Sequence, residues 1–289
     1  MQTGEPSRTA WAAAFHRAAH QVLDGGRIFA DPLAVRILKE DEAGVARQLE
    51  DRGSDRRMRI FIALRTRFAE DSLAAAFERG VRQLVILGAG FDTYAYRGTL
   101  RCGLRIWEVD HPATQAWKRQ RLEEVGIAVP ENLTFAAVDF ERDTLADGLA
   151  SAGFDGRETS FFTWLGVVPY LTEDAIQSTL GFIGGLPGGA QVVFDYADPP
   201  ESLAAELRAA HDLRAARVAG LGEAFRSFLD AATMRAKLVE LGFRDIEDLG
   251  PPQIAARYFP KRVASMPERG GHLVRAVSNR SVPDLPDST

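Results

Sequence analysis

The 289-residue sequence contains a single cysteine, Cys102, which excludes an intramolecular disulfide and a cysteine-built zinc site. It has no run of about 18 consecutive apolar residues, the length a membrane-spanning helix needs. Its start lacks a basic flank leading into an apolar signal core, so the expectation is a cytoplasmic protein with no membrane partner. Positive charge is not in surplus. With 35 Lys and Arg against 40 Asp and Glu, the net charge of −5 argues against a nucleic-acid partner, although a local basic pocket for an acidic substrate stays compatible with it. The five histidines, at 16, 20, 111, 211 and 272, show no two-histidine metal spacing, and no Gly-x-Ser-x-Gly elbow is present. Internal repeats and low-complexity tracts are also missing, and nothing in the sequence fixes an oligomeric state.

What the sequence does have is apolar content, 46% of residues, enough for a sizeable core. Residues 9–23 carry apolar side chains at helical spacing, Asp31-Pro32 reads as the start of another helix, and 55–79 as a longer amphipathic helix stopped at Gly80. Strands are expected near 83–87, 105–109, 133–138, 160–165 and 190–195, alternating with helices. That pattern predicts an α/β fold, a mostly parallel sheet with helices on both faces. After Pro199-Pro200 the alternation stops. A helical insertion is expected over about 200–230, then a helix ending at Gly242. Strands near 243–248 and 272–278 form an antiparallel close. The expected organisation is an N-terminal helical cover over 1–80, a core over 81–278 and a flexible tail over 279–289.

The sharpest local signal is Val85-Ile-Leu-Gly-Ala-Gly-Phe-Asp-Thr93, followed by Trp107-Glu-Val-Asp110, whose acid lies twenty residues beyond Gly90. A strand runs into Gly88 and Gly90, which permit close approach of a ligand, and a second strand ends in a carboxylate suited to both hydroxyls of a ribose. A dinucleotide site usually has a third glycine where this chain has Thr93, for the pyrophosphate and the packing of the next helix. S-adenosylmethionine has no phosphate to cradle. The missing glycine therefore favours a methyl donor. A third strand ends in Val138-Asp139-Phe140, an acid and an aromatic that suit an adenine amino group and ring. Asp92 reads as a cap fixing the loop.

Further segments make the chain recognisable: Ser7-Arg8-Thr9-Ala10, Asp31-Pro32, Arg65-Thr-Arg67, Leu87 to Thr93, Val109-Asp-His-Pro112, Trp164-Leu-Gly-Val-Val-Pro-Tyr170-Leu, Gly222-Glu223 and Arg257-Tyr-Phe259. Together they resemble the bacterial branch of the leucine carboxyl methyltransferase-like family of class I S-adenosylmethionine-dependent methyltransferases. The resemblance implies a Rossmann-like sheet ending in an antiparallel strand, with S-adenosylmethionine as cofactor. It implies an arginine on the carboxylate of the methionine moiety, best matched by Arg65, with Arg8 closing over the same group. Many relatives have a glutamate where this chain has Leu165, which leaves the contact near the methionine end to another group.

The remaining candidates are weaker. His111 beside Asp110 reads as a cofactor-edge residue. Tyr170, Tyr196, Arg257 and His211 are the substrate-positioning candidates, with Asp195-Tyr196 expected to point toward the acceptor side of the switch point. The reading is an O-methyltransferase acting on a small molecule, preferably at a carboxyl group, which as an anion needs no base. Phenol or hydroxyl methylation, a nicotinamide-dependent oxidoreductase and a non-catalytic cofactor-binding protein are the alternatives.

Overall fold

Seven strands form one sheet in the order β3-β2-β1-β4-β5-β7-β6. They are β1 (Gln83–Leu87), β2 (Arg105–Asp110), β3 (Leu133–Ala137), β4 (Ser160–Trp164), β5 (Ala190–Ala197), β6 (Phe243–Leu249) and β7 (Gly271–Ser278). The computed structural model describes residues 7–52, 55–98, 102–139 and 143–278. Phe140 and the 279–289 tail lie outside them. Strands β1 to β5 are mutually parallel, and β7 runs antiparallel between β5 and β6. All five residues of β1 are buried, as expected of a central strand covered on both faces.

Alternation along the strands builds two core layers. Val85, Leu87, Trp107, Val109, Phe162 and Phe194 pack on one face against α5 (Leu145–Ser151), α6 (Glu173–Gly184) and α8 (Ala231–Glu240). Leu84, Ile86, Ile106, Phe161 and Val193 pack on the other against α3 (Arg56–Glu78) and α9 (Pro251–Tyr258). Phe161, Phe162 and Phe194 have no exposed surface. Burying each contributes about 1.5–3 kcal/mol relative to exposure.

The N-terminal cover is α1 (Arg8–Asp24), α2 (Glu42–Arg52) and α3. Ser7 caps α1 by accepting from Ala10 N, and Gly25 closes it in the left-handed conformation that glycine adopts without strain. No α-helix starts at Asp31-Pro32, which corrects the sequence expectation. Asp31 Oδ1 accepts from Leu33 N in a tight turn, and its Oδ2 is taken by Thr93, so the chain makes turns into a short 3-10 helix, Arg36–Leu38. Between β2 and β3 lies α4 (Pro112–Glu124). The helix α7 (Ala205–Gly220) buries only Val218 and leaves Leu213 70% exposed, so it stands off the sheet as an insertion. Among the described residues no helix is long and apolar enough to cross a membrane.

Candidate cofactor and acceptor site

The C-terminal ends of β1, β2, β4 and β5 lie on one edge of the sheet, where open α/β sheets bind ligands. Gly88 and Gly90 turn there with φ of 61° and 44°. A Cβ on Gly88 would lie 2.5 Å from Val167 Cγ2, and one on Gly90 would lie 3.0 Å from Ala10 Cβ. Only glycine fits at the first position, and the second is pressed against the N-terminal helix. Asp110 Oδ2 accepts from Gly90 N at 2.5 Å while Oδ1 accepts from His111 N at 2.7 Å. Burial raises the Asp110 carboxyl, and these two backbone donors work against that rise. Asp110 and the glycine turn thus form one unit.

Thr93, which stands where a dinucleotide site has glycine, is buried and donates to Asp31 Oδ2 at 2.7 Å. Arg17 lies 3.5 Å from the same oxygen and also donates to the carbonyl of Phe91. The side chain at position 93 therefore ties the glycine turn to the N-terminal cover. The next element is a three-residue 3-10 helix, Tyr94–Tyr96, preceded by a turn in which Asp92 Oδ1 accepts from Tyr94 N. Among the described residues between β1 and β2 no α-helix offers an N-terminus of the kind that receives a pyrophosphate.

Asp139 ends the segment after β3, beside Asp110: Ala137 is in register with Asp110, and Val138 N donates to Asp110 O. Its backbone N donates to Asp143 Oδ2 at 3.0 Å. His111 is the N-cap of α4, its Nδ1 accepting from Ala113 N.

Arg65 projects from α3 to the ends of β4 and β5. Its Nη1 donates to Asp195 Oδ2 at 3.0 Å, and Asp195 Oδ1 accepts from Gly166 N at 2.6 Å. A Cβ on Gly166 would meet Arg65 Nη2 at 2.5 Å, so glycine is needed to let the guanidinium lie against this loop. Leu165 is half-buried and packs into the α3 layer. The acid nearest to the loop it opens is Asp195, on the neighbouring strand. The side chain of Arg8 is exposed on the first turn of α1.

Tyr170 closes the turn Val168–Tyr170, hydrogen-bonded to Thr9, with its ring centroid 5.2 Å from that of Phe225. Burial raises its phenol, and the nearby Arg65 acts against that. His211, from α7, completes an aromatic group, 5.9 Å from Phe225 and 5.2 Å from Phe228. Its Nδ1 lies 3.1 Å from Asp212 Oδ1, and its buried Nε2 has no hydrogen-bond partner.

Two candidates are corrected. Tyr196 is 3% exposed, donates to Asp248 Oδ2 at 2.6 Å and stacks on His272, because its neighbour Asp195 takes the opposite face of β5 and the site with it. Arg257 is ion-paired with Glu247, lies over Phe68 and lines an open cleft of about 570 Å³. Thr159, Gly188 and Ala190 line the same cleft, which places it where β4 and β5 begin, at the end of the sheet away from Gly88.

One residue without a sequence signal belongs to this region. His16, on α1, is pushed down to about 4, chiefly by burial, then opposed by Asp55 and reinforced by Arg59, Arg65 and Arg214. Its surroundings come from α3 and α7, which its own sequence neighbourhood does not reveal. Among the described residues no cluster of His, Cys, Asp and Glu is set to hold a metal.

The model of the leucine carboxyl methyltransferase family matches residues 10–184. The protein named "Putative S-adenosyl-L-methionine-dependent methyltransferase YktD" from Bacillus subtilis is 30% identical, over 91% of this chain and 94% of its own length. A Streptomyces coelicolor protein with the same description, SCO7813, is 36% identical over 60% of this chain and 64% of its own. Among solved structures, the CurJ carbon methyltransferase aligns with a TM-score of 0.50 at 18% identity, over 94% of this chain and 67% of that one, a likeness of fold. With a family model covering more than half of its length and a full-length relative at this identity, the chain belongs to the leucine carboxyl methyltransferase family.

Proposed function

We propose that this chain is an S-adenosylmethionine-dependent O-methyltransferase whose acceptor is the carboxylate of a small molecule. The residues fit that cofactor. Gly88 and Gly90 leave no room for side chains, Asp110 sits at the turn for the ribose, Asp139 stands beside it for the adenine, and Arg65 offers a planar fork to a carboxylate. Family membership supports methyl transfer as the reaction.

The observation that carries the acceptor class is the match of residues 10–184 to the leucine carboxyl methyltransferase family model. When bound, held by Gly88, Gly90, Asp110 and Arg65, S-adenosylmethionine would supply a methyl group activated on a sulfonium. The chain's part is to hold and align the acceptor oxygen and to exclude water, with Tyr170, Phe225 and Phe228 as the apolar wall. A carboxylate, with a pKa near about 4, is already ionised and needs no base.

The test is methyl transfer against a panel of carboxylic acids and phenols. The expected product is an alkali-labile ester, with a rate flat from about pH 6 to 9 at saturating cofactor. A second reading, hydroxyl methylation, is favoured by His211, whose buried Nε2 has no partner while Nδ1 faces Asp212. An alkali-resistant product and a rate that rises with pH and is lost in His211→Gln would replace the first reading with the second. Titration with S-adenosylhomocysteine and NAD separates both from an oxidoreductase.

A further inference from the structure

The first turn of α1 is held from the far end of the sequence. Glu223 Oε1 accepts from Arg8 N at 2.9 Å, and Oε2 accepts from Ser7 Oγ at 3.0 Å, from Thr9 N at 3.3 Å and from the Thr9 hydroxyl. One carboxylate thus gathers four donors from three successive residues. An ordinary cap does not explain this, because Ser7 already caps the helix locally through Ala10 N. Glu223 adds a charge where the helix dipole favours one, more than two hundred residues away in sequence.

The two segments it joins both border the site. Ala10 is the residue that presses on Gly90, and Thr9 is the partner of Tyr170. On the other side, the 221–230 segment is fixed along the sheet edge. Arg226 N and Ser227 N donate to Pro169 O, the Ser227 hydroxyl donates to Leu171 O, and Leu229 N donates to Ala197 O at the end of β5. With these anchors the 221–230 segment is the fixed partner, and residues 7–10 are what the carboxylate holds in place.

We infer that Glu223 is a positioning residue that holds residues 7–10 down on the glycine turn and so closes the N-terminal helix over the bound cofactor. The inference rests on the cofactor assignment proposed for this chain. Its action goes through Arg8, Thr9 and Ala10, since its own oxygens are occupied by their donors. Glu223→Gln replaces one acceptor oxygen by an amide that points its hydrogens at other donors, while leaving size and shape nearly unchanged.

The experiment combines hydrogen exchange of the ligand-free protein with S-adenosylhomocysteine binding kinetics. In Glu223→Gln the amides of Arg8 and Thr9 should exchange at least tenfold faster, while those of Ala18 and Ala19 and the thermal midpoint stay close to wild type. Dissociation of S-adenosylhomocysteine should be at least tenfold faster with little change in association, and Glu223→Asp should recover part of both effects. Unchanged exchange at Arg8 and Thr9 would overturn the inference, as would a loss of protection spread through the whole of α1. Faster exchange with an unaltered dissociation rate would overturn it too, leaving the cofactor assignment intact. A wild-type protein that fails to bind S-adenosylhomocysteine removes the assignment, and the inference with it.

Discussion

Arg65 and Asp195 form a buried pair at the edge of the sheet, Nη1 to Oδ2 at 3.0 Å, with side chains 11% and 5% exposed. A buried pair of this kind contributes little by itself, yet loss of one partner strands the other charge. The pair is therefore both a structural element and the place where the expected cofactor-binding arginine is held in orientation.

Arg65→Ala should lower stability by about 3–5 kcal/mol in urea titrations because Asp195 is left uncompensated. Arg65→Met combined with Asp195→Asn removes that charge and should regain most of the loss. Affinity for S-adenosylhomocysteine, measured by calorimetry, should stay low in both. A double variant that binds as well as wild type would reduce Arg65 to a structural role.

Asp110→Ala should weaken S-adenosylhomocysteine binding by about 1.5–3 kcal/mol, the scale of a hydrogen bond to a charged group, and should also loosen the turn through the lost Gly90 contact. Asp139→Ala should cost less. Asp139→Asn should cost less still, since an amide oxygen also accepts from an adenine amino group. Equal losses in Asp139→Asn and Asp139→Ala would speak against the adenine role, and an Asp110→Ala protein of full affinity against the ribose role.

Two histidines should tilt the pH dependence of stability in opposite directions. His16 is depressed in the fold to about 4, so its unfolded form takes up a proton first, and stability should fall by at most about 3 kcal/mol as the pH drops from about 6.5 to 4. His272 lies between Asp248 and Asp198 at 2.8 and 3.1 Å. Burial opposes its charge, but hydrogen bonds to these two acids outweigh burial and raise it. Its contribution is full below about pH 6.5 and is lost as pH rises through the raised value. Urea curves from pH 4 to 9 should show the acid slope flattened in His16→Gln and the alkaline slope flattened in His272→Gln. Slopes unchanged from wild type in both variants would contradict the assigned environments.

Periodicity and punctuation were enough to read the sheet. Segments such as Val85 to Leu87 and Val192 to Phe194 are apolar because both of their faces are covered. The glycine turn and its acid were legible for a related reason. Gly88 and Gly90 are dictated by backbone conformation, which is a local property, and the spacing to Asp110 is set by one strand-turn-strand unit.

What tertiary structure decided is which side chains share a space. Asp195 and Tyr196 are adjacent in sequence, yet alternation sends one to Arg65 and the other to Asp248 and His272. Arg257 carries a charge suited to an anion, but the packing of α9 sets it against Glu247 at the far end of the sheet. His16 takes its character from burial first, then from Asp55 and from Arg59, Arg65 and Arg214 brought to it by folding, and Glu223 takes its partners from three residues more than two hundred positions earlier in the chain. Charge and hydrogen bonding act over a few ångströms in space and are indifferent to sequence distance. The sequence by itself therefore determined the sheet, the glycine turn and the family, whereas the environment of each ionisable side chain was decided only by the folded chain.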